Sequence, residues 1–89
     1  MTKKRRKLNK DFERKIYSSK KNVELVLAKI YDIDDEDIQK EYMSAFNKVV
    51  YLYDELNEDY KRQGFSDNSE ELLTSYINAF NLFESEFEI

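Results

Sequence analysis

The chain contains no proline and only one glycine, Gly64, in 89 residues. Chains rely on these two residue types to end elements and to form tight turns, so an all-β protein of this length would need several of them. Their near absence favours long helices joined by a few short connections. We therefore predict an all-α fold.

The core of such a fold has to come from side-chain packing. The chain has no Cys for a disulfide and no His or Cys for a structural zinc site. Its seven Tyr and six Phe supply large apolar surfaces, since each ring can bury roughly 150–250 Å². One domain is expected, and association into a homodimer could supplement a marginal core of this size.

Apolar residues recur at helical spacing in three segments, which predicts helices at about 9–31, 35–63 and 67–88. Connections of three or four residues force neighbouring helices to run antiparallel. The prediction is a three-helix up-down-up antiparallel bundle over residues 9–89, preceded by a flexible, disordered basic arm at residues 1–8.

Capping residues mark the predicted helix ends. Asp34 is expected to cap the second helix, and Asp67 with Glu70 to form a capping-box variant at the third. Gly64 is expected to end the second helix in a left-handed conformation, with Phe65 folded back on the helix in a Schellman ending.

The predicted core stripes contain most, but not all, of the large apolar residues. Leu8, Ser19, Ile38 and Ile77 lie on the stripes, and Ser19 is expected to bond back to the carbonyl four residues earlier. Four large apolar residues lie off the stripes and are expected at the surface: Tyr17, Leu25, Tyr51 and Leu82. They favour a contact surface, either for a partner or for self-association.

Charge is divided along the chain. Residues 1–29 carry eleven Lys or Arg against three Asp or Glu, a net charge of +8, whereas residues 30–89 carry four against sixteen, a net charge of −12. In the predicted topology the first connection and the C terminus share one end of the bundle. The acids should therefore gather at that end, opposite the basic arm. Such asymmetry points to charged partners.

The residue types argue against catalysis. The chain offers no His as a general base, no Cys nucleophile and no glycine-rich loop to hold a phosphate. A calcium loop starting at Asp32 fails, because Asp37 occupies the sixth position and Met43 the twelfth, where Gly and Glu are needed. We predict a non-enzyme with no cofactor and no metal.

The basic N-terminal run is not followed by the apolar segment of a signal peptide, and no stretch approaches the ~20 apolar residues of a membrane span. A cytoplasmic protein without a membrane span is expected.

The leading hypothesis is a binding protein that inhibits or regulates a larger partner, itself a nucleic-acid-binding protein with a basic groove. Carboxylates on rigid helices would imitate the phosphates of a nucleic acid, although solvated acids also simply keep small domains soluble. On this hypothesis the acidic face of the second helix also includes Asp59. The predicted partner-binding residues are Asp32, Asp34, Asp35, Glu36, Asp37, Glu41, Tyr51, Asp54, Glu55 and Glu58.

The alternative hypothesis is direct nucleic-acid binding through the basic arm and the start of the first helix. No aromatic residue interleaves with this run before Phe12, so base stacking is not indicated. The basic run is equally well explained as a disordered tail that only keeps the protein in solution. The predicted anion-binding residues are Lys3, Lys4, Arg5, Arg6, Lys7, Lys10, Arg14 and Lys15.

In size and acidic helical composition the chain resembles small inhibitors encoded by phages and mobile elements, some anti-CRISPR proteins among them. That resemblance implies an inhibitor acting in the host cytoplasm. The chain is also similar in length and helical content to bacteriocin immunity proteins, which are usually more basic. Neither resemblance extends to a residue-level motif, so no functional residue is carried over.

Overall fold

A computed structural model describes residues 7–87 as three helices: α1 (Lys10–Tyr31), α2 (Glu36–Gln63) and α3 (Asp67–Glu86). The predicted all-α class is confirmed, and the described residues contain no strand beyond an isolated bridge between Lys7 and Gly64. The third helix was predicted to reach residue 88 but ends at Glu86, because Phe87 adopts an extended conformation.

Each helix begins at a polar cap. The Asn9 side chain accepts a hydrogen bond from the Phe12 amide at 3.0 Å. Asp35, and not the predicted Asp34, caps α2 by accepting from the amides of residues 37 and 38. The predicted Asp67–Glu70 capping box is likewise wrong by one residue, because Ser66 and Ser69 form the reciprocal pair at α3. Caps of this kind satisfy amides that have no partner within the helix.

The end of α2 is tied to the N-terminal segment. Gly64 has a φ of 78° and a ψ of −159°, a region that is essentially restricted to glycine. Its amide donates to the Tyr60 carbonyl at 2.8 Å, while the Phe65 amide donates to the Lys7 carbonyl and not to α2. The predicted Schellman ending is therefore wrong, and the Phe65 ring packs on Phe12, with centroids 5.1 Å apart.

Helix α2 lies between the other two helices and packs along both. Its Phe46, Val49 and Leu56 are almost fully buried, as is Ile30 of α1. Phe46 also packs its ring 4.8 Å from that of Phe83 on α3. A broad apolar face on α2, as its sequence indicates, is what contact with two neighbours requires.

Contacts between rings and caps identify which helix ends meet. Phe12 at the start of α1 lies 5.6 Å from Tyr60 at the end of α2, and the Gln39 side chain donates to the carbonyls of Ile30 and Tyr31. On the other side of α2, Tyr42 lies 4.8 Å from Phe87 near the end of α3. The beginnings of α1 and α3 thus both contact the end of α2, because Asn68 also bonds to Asp59.

Burial follows the predicted stripes except at their margins. Leu8 is 64% exposed, and Ile38 and Ile77 are also exposed, so these three do not belong to the core. Ser19 is buried and donates to the Lys15 carbonyl at 2.8 Å, which confirms its predicted back-bond. The four residues predicted to lie off the stripes are exposed as expected: Tyr17, Leu25, Tyr51 and Leu82.

The predicted basic arm falls mainly outside the described residues. Lys7 and Leu8 are its two members that the structure describes. Lys7 is exposed, and its ammonium lies over the Phe65 ring, 5.7 Å from the ring centre.

We expect Gly64→Ala to lower the free energy of unfolding by about 1–3 kcal/mol, because a β-carbon disfavours the conformation that Gly64 adopts. Urea unfolding followed by circular dichroism measures this change. Ser44→Ala, at an exposed position inside α2, is the control and should be neutral or slightly stabilising. An unchanged midpoint for Gly64→Ala would show that the turn tolerates another conformation.

Candidate functional site

Six of the predicted acidic residues surround the α1–α2 connection, and all six are exposed: Asp32, Asp34, Asp35, Glu36, Asp37 and Glu41. We call them the turn cluster. Asp35 has a structural task as the cap of α2, and Glu36 and Asp37 lie in its first turn, where the helix dipole favours negative charge. The other members have no such role in the described contacts.

The remaining four predicted residues lie on the outward side of α2, and all are exposed: Tyr51, Asp54, Glu55 and Glu58. We call them the α2 cluster. At 1.5 Å per residue, Glu41 and Asp54 are separated by about 20 Å along the helix. Ser44, Asn47 and Lys48 occupy the stretch between them. The predicted surface thus consists of two acidic clusters, one around the turn that enters α2 and one further along that helix.

Tyr51 is the large apolar member of the α2 cluster and is 62% exposed. Interaction of its hydroxyl with the Glu55 carboxylate, through hydrogen bonding first and negative charge second, raises the pKa of Tyr51 above its usual value of 10.0. The hydroxyl is therefore protonated at neutral pH and able to donate. An aromatic ring with a polar tip and a charged surround is typical of an interface anchor.

No ion pair among residues 7–87 involves a member of either acidic cluster. Within residues 7–87, the ion pairs join Arg14 to Asp11 at 3.5 Å and Arg62 to Asp59 at 4.0 Å. Neither pair involves a residue of the turn cluster or the α2 cluster. The carboxylates of both clusters therefore face solvent with their charge available to a partner.

Asp59 does not belong to this surface, which corrects the sequence-based expectation. It is 3% exposed, and its Oδ1 accepts hydrogen bonds from the Gln63 side chain at 3.1 Å and the Asn68 side chain at 2.9 Å. Its Oδ2 is buried without a hydrogen-bond partner. Asp59 therefore links the end of α2 to the start of α3.

The predicted anion-binding residues are described only in part. Lys3, Lys4, Arg5 and Arg6 lie outside the described residues, while Lys7, Lys10, Arg14 and Lys15 are all exposed near the start of α1. The start of α3 lies at the same end of the molecule and brings three further acids there: Asp67, Glu70 and Glu71. The predicted separation of charge between the two ends is thus incomplete.

A groove between α1 and α3 is the feature that sequence reasoning missed. It encloses about 800 Å³, within the range of small-molecule and peptide sites. Val26, Leu73 and Phe83 are buried along it, whereas Leu25 and Ile77 are exposed at its edges. The one sequence signal for it was Leu25, which lies off the core stripe of α1.

Tyr76 crosses the floor of this groove, and its hydroxyl donates to the Ser19 carbonyl at 3.2 Å. Burial raises the pKa of Tyr76, and this effect outweighs the lowering by the Ser19 side chain. Burial likewise raises the pKa of Tyr53, with smaller contributions from the charges of Asp54 and Glu24. Both hydroxyls are neutral at physiological pH, and the two rings pack edge-on, with centroids 6.2 Å apart.

Two features are absent from the part of the chain that the structure describes. No group of three or more acidic side chains there is arranged to hold a metal ion. None of its three helices combines the length and the apolar character needed to cross a bilayer.

No protein-family model, curated protein or solved structure matches this chain. The features that indicate a function are therefore the exposed charge, Tyr51 and the groove.

We expect Asp59→Ala to lower the free energy of unfolding by about 1–3 kcal/mol, because it removes the acceptor that Gln63 and Asn68 share in a buried position. Glu58→Ala, at the adjacent exposed position, is the matched control and should change stability by less than about 0.5 kcal/mol. Chemical denaturation of both variants measures the difference. Equal effects would mean that Asp59 is solvated like its neighbour.

Proposed function

We propose that this chain is a non-enzymatic binding protein that inhibits or regulates a larger, nucleic-acid-binding partner. The turn cluster and the α2 cluster would occupy a basic groove on that partner, where their carboxylates take the positions of phosphates. The observation that carries this proposal is that the carboxylates of both clusters are exposed on one helix and its entry turn, without ion-pair partners among residues 7–87.

The spacing of the clusters defines the groove they would fit. Phosphates follow each other at about 3.4 Å of axis per strand in duplex DNA, so a gap of about 20 Å corresponds to about six base pairs. The two clusters would therefore replace two separate groups of phosphate contacts. The partner should present two basic patches at this distance, with a less charged stretch facing Ser44 and Asn47.

Tyr51 supplies the apolar contact that charge alone lacks. It lies on the outward side of α2 between Lys48 and the carboxylates of the α2 cluster. Acidic contacts mainly guide approach and orientation, whereas a buried aromatic ring slows dissociation. We therefore assign Tyr51 as the anchor of the interface.

The proposed function goes together with a particular helix arrangement, position of the basic arm and location in the cell. The helices form an up-down-up antiparallel bundle, which is supported by the pairing of Phe12 with Tyr60 and of Tyr42 with Phe87. The basic arm of residues 1–8 extends from the end of the bundle opposite the turn cluster. The protein acts in the cytoplasm, and in the host cytoplasm if it is carried by a phage or mobile element.

The test is capture of bacterial lysate proteins on the immobilised chain, followed by their identification. The triple variant Asp54→Lys, Glu55→Lys and Glu58→Lys should retain at most about one tenth as much of the partner. The three lysines would repel the basic groove that the carboxylates attract. Duplex DNA should displace the partner from the unmodified chain. Tyr51→Ala should weaken retention without altering its salt dependence.

The matched control carries the same change in net charge elsewhere on the surface: Glu24→Lys, Glu71→Lys and Glu86→Lys, all at exposed positions. This variant should retain the partner. Equal loss in both triple variants would reduce the effect to net charge and defeat the proposal. A mobility shift of duplex DNA by the purified chain itself would favour the alternative function through the basic arm.

A further inference from the structure

The groove between α1 and α3 has walls of opposite charge. On the α1 side, Arg14 and Lys15 lie near one end and Lys29 near the other. On the α3 side, Glu84 lies on the wall, and Glu70 lies two heptads before it, hence on the same side of the helix. The two walls also carry exposed apolar residues, Leu25 on α1 and Ile77 on α3.

The direction of the helices determines which charges can meet. Phe12 and Asn68, at the starts of α1 and α3, both contact the end of α2 at Tyr60 and Asp59. Helices α1 and α3 therefore run in the same direction. Within one molecule, Glu84 is consequently at the far end of the groove from Arg14.

We propose that the occupant of this groove is a second copy of the chain, bound through a two-fold axis. In such a pair, α3 of one copy lies antiparallel to α3 of the other and enters the opposite groove. Glu84 of each copy then meets Arg14 and Lys15 of its partner, and Glu70 meets Lys29. An isologous dimer requires a surface that is complementary to itself under a two-fold rotation. This surface meets the requirement, because its basic residues face the acidic residues of the second copy.

The exposed apolar residues fit the same arrangement. Ile77 follows Tyr76, which bonds across the groove floor to Ser19 near the middle of α1. Ile77 therefore lies near the two-fold axis, and Leu25 lies further along the facing wall. Both would lose their contact with water in the dimer, which contributes a hydrophobic driving force.

This dimer leaves the proposed partner-binding surface accessible. The turn cluster and the α2 cluster lie on α2 and its entry turn, and no member of either lines the groove. Each copy would present its acidic clusters outward. Dimerisation and partner capture therefore fail or succeed independently in the variants below.

The test is sedimentation equilibrium of the full chain at low salt over a range of concentrations. We expect twice the chain mass for the unmodified protein. Glu84→Lys should raise the dimer dissociation constant at least about tenfold through like-charge repulsion, and adding Arg14→Glu and Lys15→Glu should restore the dimer. Glu55→Lys, on the outward side of α2, should leave it unchanged.

A second pair of variants tests the apolar contact. Ile77→Ser should weaken the dimer, whereas Leu82→Ser, at an exposed position that does not line the groove, should not. Circular dichroism verifies that every variant is folded. A monomer at all concentrations, or a Glu84→Lys defect that the reciprocal changes fail to correct, would overturn the proposal. A monomer that still captures a partner would disprove the dimer and leave the proposed function standing.

Discussion

Burial of α2 along two of its sides is the constraint on which the rest of the molecule depends. Phe46, Val49 and Leu56 are each at most 1% exposed, and they hold α1 and α3 to a common support. Aromatic rings strengthen the contact of α2 with α3, where the ring centroids of Phe46 and Phe83 lie 4.8 Å apart. Because α1 and α3 each pack on α2 and only sparsely on one another, the groove between them stays open.

The sequence predicted the parts of this fold that arise from repeated local preferences. Helical periodicity and the lack of turn residues were sufficient for the all-α class, and Ser19 was recognised because its back-bond lies within a single helix. The cap of α2 is Asp35, one residue after the predicted Asp34, because several consecutive acids there can each cap a helix. Gly64 was correctly selected for a positive φ, yet the amide that follows it, that of Phe65, bonds to the Lys7 carbonyl, 58 positions away along the chain.

Side-chain surroundings across elements were the least predictable feature. Asp59 belongs to a run of acids on α2, and only its contacts with Gln63 and Asn68 distinguish it from Glu58. Ile77 continues the apolar pattern of α3 but faces the groove, because α1 does not close over it. In both cases the deciding neighbour lies on another helix or beyond a turn. The turn cluster and the α2 cluster are exposed, as their charge indicates.

The bond between the Lys7 carbonyl and the Phe65 amide also has a practical side. It places Lys7, the first residue that the structure describes, beside the α2–α3 connection. Helix α2 has 28 residues and so spans about 42 Å. Lys7 and the α1–α2 connection therefore lie near opposite ends of α2, and a fluorophore or affinity handle attached to the exposed Lys7 side chain leaves the turn cluster unobstructed.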